Sequence, residues 1–324
     1  MRVGRNFTNL LELDYVSPAE KRLLKAGKIK VADIDAKYQI VMKKDIVRQV
    51  NVAHSLGHEH IELDGGIPNP FLTMMPSEIK RARKECEKMD VTLSMHLPYT
   101  FIAESTCCFQ ESDRKLAVDY LKQYLDVGEK LGIKYVVMHP GRVPFYQMAG
   151  EYYTMMVSAL TRTMIELGRY ASKRNILVHI ENNTKFDNIM ITPEDFYPVL
   201  KKCHSAGVDI KFCYDLAHSF TQYQKTSDIP KPPEALYEPI PAKYIYALHV
   251  GDYIPEKVLF HPPIHYEIGP LQLENWKNIG NIFRKKNVEV VIIETAAREL
   301  KELENSYELM ASESAYLKDA FGIA

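Results

Sequence analysis

Eight short runs rich in Val, Ile, Leu and Tyr recur along the chain, and amphipathic stretches of helical period separate most of them. The strand-like runs are Arg2 to Phe7, Glu59 to Leu63, Thr92 to His96, Tyr135 to His139, Ile176 to Glu181, Ile210 to Asp215, Tyr244 to His249, and Val288 to Glu294. The helical pattern covers Asp45 to Ser55, Ser77 to Lys88, Asp113 to Leu131, Tyr152 to Ser172, Pro193 to Cys203, Leu273 to Lys285, and Arg298 to Leu317. Thr192-Pro193-Glu194-Asp195 is a helix start, with Thr as cap and Pro in the first turn. Strands alternating with helices predict an α/β fold with a parallel sheet, and eight is the number that closes a (β/α)8 barrel. A doubly wound open sheet is the alternative, but no GxGxxG or GxxxxGK[ST] follows any of the runs, which removes support for its nucleotide-binding versions.

Such a barrel needs about 250 residues, and this chain has 324. The surplus is expected in two elaborated loops of one domain spanning residues 1–324. One is Leu10 to Lys44, after strand 1. The other is Gln222 to Pro241, between strands 6 and 7, where Pro230, Pro232, Pro233, Pro239 and Pro241 oppose regular structure. That second loop is a candidate lid over the barrel mouth or a subunit contact. Forty-one Lys and Arg against 42 Asp and Glu leave a formal charge of -1, which weighs against a dedicated polyanion binder. No apolar stretch approaches the roughly 20 residues of a membrane crossing, and the N-terminal segment lacks a signal-peptide plan. Five cysteines without a CxxC pair make neither a disulfide framework nor a thiolate metal site. A cytoplasmic protein without membrane contact is therefore expected.

The chemistry is concentrated at the strand ends. In a (β/α)8 barrel the active site lies at the carboxyl ends of the strands. Strand 3 ends LSMHLPY at His96 and strand 4 ends VVMHPG at His139. Strand 5 ends VHIEN at Glu181, and strand 6 ends CYDLAH with Asp215 and His218. Strand 7 ends ALHVGD at His249, followed by HYEIG with His265, and strand 8 ends VIIET at Glu294. One polar strand end usually begins a loop. Six in succession would place many ionisable groups at one mouth, costly to bury without partners. A divalent cation satisfies several together, and a mixed His and carboxylate set suits Zn, Mn, Fe or Co.

These words in this order, HLPY, HPG, IEN, DLAH, HVGD, HYEIG and IIET, resemble the xylose-isomerase-like barrel superfamily, which includes sugar isomerases, epimerases and endonuclease IV. The resemblance runs over about Gly57 to Glu294. In the isomerase and epimerase branch it implies that Glu181, Asp215, His249 and Glu294 hold one divalent metal, Zn or Mn foremost. Glu181 and Glu294 would move protons through a metal-stabilised enediolate, and His218 would touch the sugar. In the endonuclease IV branch it implies up to three ions, with His96, His139 and Glu181 as the first site and His218 and His265 in the last. An Asp of that last site falls on Pro263 here, which cannot ligate. His261 could replace it only with a rearranged loop.

The two branches imply different partners. For a sugar or sugar phosphate, the word His60-Ile-Glu62-Leu-Asp64-Gly-Gly66 resembles a sugar-binding first loop, with Asp64 as a contact. Arg142 after HPG is placed to meet a phosphate, with a surface salt bridge as its plain alternative. For abasic-site DNA, Tyr99 matches a residue near the nuclease's DNA face, while the loop Glu181 to Phe186 offers only Lys185 as a cation. Metal-dependent sugar chemistry is the expectation, with phosphodiester hydrolysis the alternative and homo-oligomers suggested only by analogy.

Overall fold

A computed structural model describes residues 1–323. Its strands are β1 (Arg2–Asn6), β2 (His60–Asp64), β3 (Thr92–His96), β4 (Tyr135–Met138), β5 (Leu177–Glu181), β6 (Ile210–Asp215), β7 (Ile245–Val250), β8 (Tyr253–Ile254), β9 (Leu259–Phe260) and β10 (Val290–Glu294). Eight of them close a parallel barrel in the order β1-β10-β7-β6-β5-β4-β3-β2, while β8 and β9 pair as a separate antiparallel hairpin. The alternation of β-branched runs with amphipathic helices thus gives a (β/α)8 barrel.

Strand pleat decides what enters the barrel. Side chains alternate between the helix-facing and axial sides, so every second residue points inward. The helix-facing set joins the large apolar core. The axial set holds a small one of Tyr135, Val137, Cys213, Ala247, Val290 and Ile292. The same parity in β2 and β3 gives His60, Glu62 and Asp64, and Thr92, Ser94 and His96. Parallel register aligns the last axial residues across neighbouring strands: Asn6 with Glu294, Asp64 with His96, and Asp215 with His249.

Several expectations change. Leu10 to Lys44 is not a plain loop but carries helices at Pro18–Lys25 and Val31–Lys44. Ser17 caps the first by accepting from Glu20 N, and Leu24 and Ile34 are buried beside Val16 in their own small core. The last helical stretch is broken at Asn305 into Leu300–Glu304 and Ser306–Phe321. The Pro-rich segment forms only short 3-10 turns, Thr226–Asp228 and Pro233–Leu236, as its prolines require. It is fastened to the barrel wall: Glu234 accepts from Asn275 Nδ2 at 2.8 Å and Asn278 Nδ2 at 2.7 Å, and fully buried Tyr237 packs on Phe283. Among the described residues no helix is long and apolar enough to cross a membrane.

Candidate metal centre

The mouth of the barrel holds a cavity of about 380 Å³, lined by Asn6, Asp64, His96, Tyr99, His139, Glu181, His218, His261 and Glu294 among others. Glu181 is its hub, reaching up from the end of β5. His96 Nε2 and His139 Nε2 lie 3.0 and 3.2 Å from Glu181 Oε2. Its other oxygen is 3.0 Å from His249 Nδ1 and 3.7 Å from His218 Nδ1. His249 Nδ1 is also 3.5 Å from Glu294 Oε1. Glu294 in turn accepts from Asn6 Nδ2 at 3.4 Å, a contact between residues in register on β1 and β10.

Neighbouring loops fix which imidazole nitrogen faces the cavity. His96 Nδ1 donates to Leu97 O at 2.8 Å, His139 Nδ1 to Asn183 Oδ1 at 3.0 Å, and His218 Nδ1 to Asn182 O at 2.8 Å. Each ring therefore carries its proton on Nδ1 in the neutral state and presents Nε2 as a lone pair. This is the arrangement in which a metal-binding histidine is held by an outer partner. The two asparagines of IENN are themselves fixed. Asn182 exchanges hydrogen bonds with the backbone of Asp215 at 2.9 and 2.7 Å, and Asn183 donates to Gly141 O at 2.7 Å.

Charge is shared unevenly. Burial raises the pKa of Glu181, but the imidazoles of His249 and His139 outweigh it and hold the carboxylate well below its ordinary range. Burial, then the charges of Glu181, Asp215 and Glu62, push Glu294 up to about 8 against the pull of His249. Burial lowers His96, yet Glu181 and the other carboxylates carry it up to about 9. Two similar side chains at one mouth are thus driven apart by their neighbours.

Four sets of three side chains bring potential ligand atoms within 4.8 Å of one another: His96, His139 and Glu181; Asp215, His218 and His261; Glu62, His249 and Glu294; and Glu181, Asp215 and His249. Among the buried atoms of these sets that have no hydrogen-bond partner are Glu62 Oε1, Asp215 Oδ2, His249 Nε2 and His261 Nδ1. Orphaned buried polar atoms are costly, and together with the mixed N and O donors they fit a transition-type divalent cation.

His265 is not in these sets, contrary to the sequence expectation, and His261 stands with Asp215 and His218 instead. The reason is local. The β8-β9 hairpin returns the chain over the mouth, where His261 takes a left-handed backbone (φ 51) and its N–H donates to Asp252 O at 2.9 Å. Pro262 and Pro263 then turn the chain away, and Ile264 N is held by Glu313 Oε1 at 3.0 Å. Gly251 of HVGD is required by this return, since a Cβ there would lie 2.3 Å from His261 Nδ1. Tyr99 stays at the mouth, stacked on His139 with ring centres 5.0 Å apart. Asp64 lines the cavity too, but its carboxylate is engaged by Lys43 Nζ at 3.0 Å and by Gly66 N at 2.7 Å.

The two expected cations lie elsewhere. Arg142 borders an adjoining surface cavity with Phe101, Phe145 and Phe186, between Glu104 at 3.7 Å and Asp187 at 3.6 Å. Lys185 sits over the Phe186 ring at 5.3 Å. Neither they nor any residue from 222–241 appears among the residues lining the mouth. Sequence reading gave no role to Asn6, Glu62 or Phe260. The first two were legible as the axial residues of β1 and β2, once pleat parity is applied.

A family model described as xylose isomerase-like TIM barrel matches residues 50–320. An uncharacterized protein of Methanocaldococcus jannaschii is 25% identical over 149 residues, 46% of this chain and 49% of the relative, so the match spans about half of that relative's length. Among solved structures, D-psicose 3-epimerase from Clostridium cellulolyticum superposes with a TM-score of 0.66 at 13% identity, covering 100% of this chain and 99% of that one. Endonuclease IV from Thermus thermophilus does so with a TM-score of 0.63 at 16% identity, covering 98% and 100%. At these identities the likeness speaks for the fold.

Proposed function

The chain belongs to the xylose isomerase-like TIM-barrel family, and from that premise we propose that it is a divalent-metal-dependent isomerase or epimerase of a small, unphosphorylated carbonyl sugar. One observation carries the reading: Glu181 and Glu294, on β5 and β10, flank a single imidazole nitrogen of His249 at 3.0 and 3.5 Å in a cavity whose lining holds no Lys or Arg. Glu181, Asp215, His249 and Glu294 would hold the cation. When bound, a divalent cation supplies a Lewis acid that stabilises negative charge developing on a substrate oxygen.

The remaining work falls to side chains. Glu181 and Glu294 are the carboxyl groups placed to take a proton from a carbon beside a carbonyl and to return one. His218, its Nδ1 tied to Asn182 O, presents Nε2 to a substrate hydroxyl. Tyr99 and Phe260 form apolar walls against which a sugar ring can lie. Arg142, half exposed between two acids outside this cavity, weighs against a phosphate group bound in it.

The test is solvent-deuterium incorporation into a panel of free ketoses and their phosphates, with metal content measured on the same preparation. Exchange into a free ketose, lost in Glu181→Gln and Glu294→Gln, is the expected result. A specific observation favours the second reading, phosphodiester hydrolysis at abasic DNA. His96 and His139 both approach Glu181 Oε2, and a one-metal isomerase does not need them as ligands. If the protein nicks an abasic duplex in a Glu181-dependent manner and exchanges no ketose, the isomerase reading is wrong.

A further inference from the structure

His249 differs from the other imidazoles at the mouth. Its Nδ1 is turned to the Glu181 and Glu294 carboxylates, leaving Nε2 facing down the barrel axis. There it meets Glu62 Oε1 at 3.0 Å, with both side chains fully buried. The approach is not aligned as a formed hydrogen bond, and neither atom has another partner. Glu62 Oε1 is the carboxylate oxygen nearest this nitrogen.

Glu62 is itself held from below. Ser94 Oγ donates to Glu62 Oε2 at 3.2 Å and lies 2.9 Å from His60 Nε2. Tyr135 Oη reaches the same His60 nitrogen at 3.2 Å. His60 Nδ1 meets Thr92 Oγ1 at 2.7 Å, and Thr92 donates to Glu59 O at 3.1 Å while accepting from Arg2 Nη1 at 3.2 Å. The Tyr135 ring stacks between His60 and His179, at 5.4 and 4.3 Å. A polar column therefore rises along the axis from Arg2 and Thr92 through His60 and Ser94 to Glu62.

We propose that Glu62 is a positioning residue for the metal centre. Its carboxylate, fixed by the Ser94–His60 column, orients His249 through Nε2 so that Nδ1 is presented to the cation. The proposal rests on the metal-binding part of the reading above but not on any sugar chemistry. An outer carboxylate on a ligating histidine fixes the ring and raises its basicity, and its loss typically costs about 10- to 100-fold in metal affinity. The pattern His60-Ile-Glu62-Leu-Asp64 then has a division of labour. Its three axial residues anchor the column, orient the ligand and line the mouth.

The experiment is a cobalt(II) titration of the metal-stripped protein, followed by visible absorption, for wild type, Glu62→Gln and Ser94→Ala. Glu62→Gln is expected to weaken cobalt binding about 10- to 100-fold and to change the ligand-field bands. Ser94→Ala, which keeps the carboxylate and removes its fixed donor, should show a smaller loss in the same direction. Melting curves of the stripped proteins separate folding from positioning. If Glu62→Gln does not fold, Ser94→Ala carries the test alone. Cobalt affinity and bands within threefold of wild type in the folded variants would overturn the proposal. Failure of wild type to bind cobalt would instead overturn the metal-dependent reading itself.

Discussion

The buried Arg5–Glu313 pair offers a stringent test of how the mouth is supported. Glu313, on the helix Ser306–Phe321, takes hydrogen bonds from Arg5 Nη2 at 2.9 Å, Thr295 Oγ1 at 2.6 Å and Ile264 N at 3.0 Å. It thereby ties β1, the loop after β10 and the segment following His261 to one helix. Both side chains are wholly buried. Burial draws the Arg5 pKa down, and the charge and hydrogen bond of Glu313 oppose that. In Glu313→Leu, the guanidinium would keep only Met310 O at 3.5 Å, with Nε and Nη1 already unpartnered. Breaking a buried pair from one side costs about 3–5 kcal/mol, because it strands a charge. With no second carboxylate hydrogen-bonded to Arg5, a loss of about 4 kcal/mol is expected. At roughly 2 °C per kcal/mol for a large chain, that is about 8 °C in Tm. Urea denaturation followed by far-UV circular dichroism, with calorimetry alongside, measures both. The double variant Arg5→Met/Glu313→Leu should recover a large part of the loss, since no charge remains buried. A single-variant loss under about 1 kcal/mol, or a double variant as unstable as the summed singles, would refute the reasoning.

Other outcomes are as direct. Gly141 of HPG has φ 98, and a Cβ would fall 2.5 Å from Glu104 O; Gly141→Ala should cost on the order of 2–3 kcal/mol in chemical denaturation and weaken metal binding through displaced His139. His58 is buried, and burial, then the charges of Arg5 and Lys318, lower its pKa to about 3. A histidine depressed in the folded state contributes stability that is complete above its unfolded pKa of about 6.5 and is lost as pH falls towards 3. Wild type should therefore lose about 1.5 kcal/mol more than His58→Asn between pH 6.5 and pH 5, read from urea midpoints; parallel losses would contradict this. His261→Ala should lower metal content or affinity while His265→Ala leaves both unchanged, checked by elemental analysis after dialysis against limiting zinc. Tyr237→Ala should destabilise by about 3–5 kcal/mol yet leave metal affinity within twofold, because the Pro-rich segment packs on the wall instead of lining the mouth.

Much of the fold was legible because strand and helix periods differ. Runs such as Thr92 to His96 and Ile210 to Asp215 were placed to the residue, since a buried parallel strand is a short apolar run with clear ends. The helices within Leu10 to Lys44 were hidden. Their charged surfaces resemble a solvated loop, and the apolar residues that fix them, Leu24 and Ile34, meet Val16 only in three dimensions. At the mouth, Glu181 and Glu294 stood out as acids ending apolar runs. Glu62 did not, because it lies one axial step below the end of β2, where the same polarity reads as ordinary alternation.

The sequence by itself determined the eight barrel strands, their parallel arrangement and the gathering of six successive ionisable strand ends at one mouth. These follow from local periodicity and from the handedness of βα units. Tertiary structure alone decided which histidine joins Asp215 and His218, that Arg142 and Lys185 stand outside the cavity, and that a polar column backs His249. Each of these depends on how loops and axial side chains from distant parts of the chain meet. His261 reaches the mouth because a two-strand hairpin and a close approach to Gly251 bring it there. Glu62 on β2 reaches His249 on β7 across the barrel, through a register that only the closed sheet imposes.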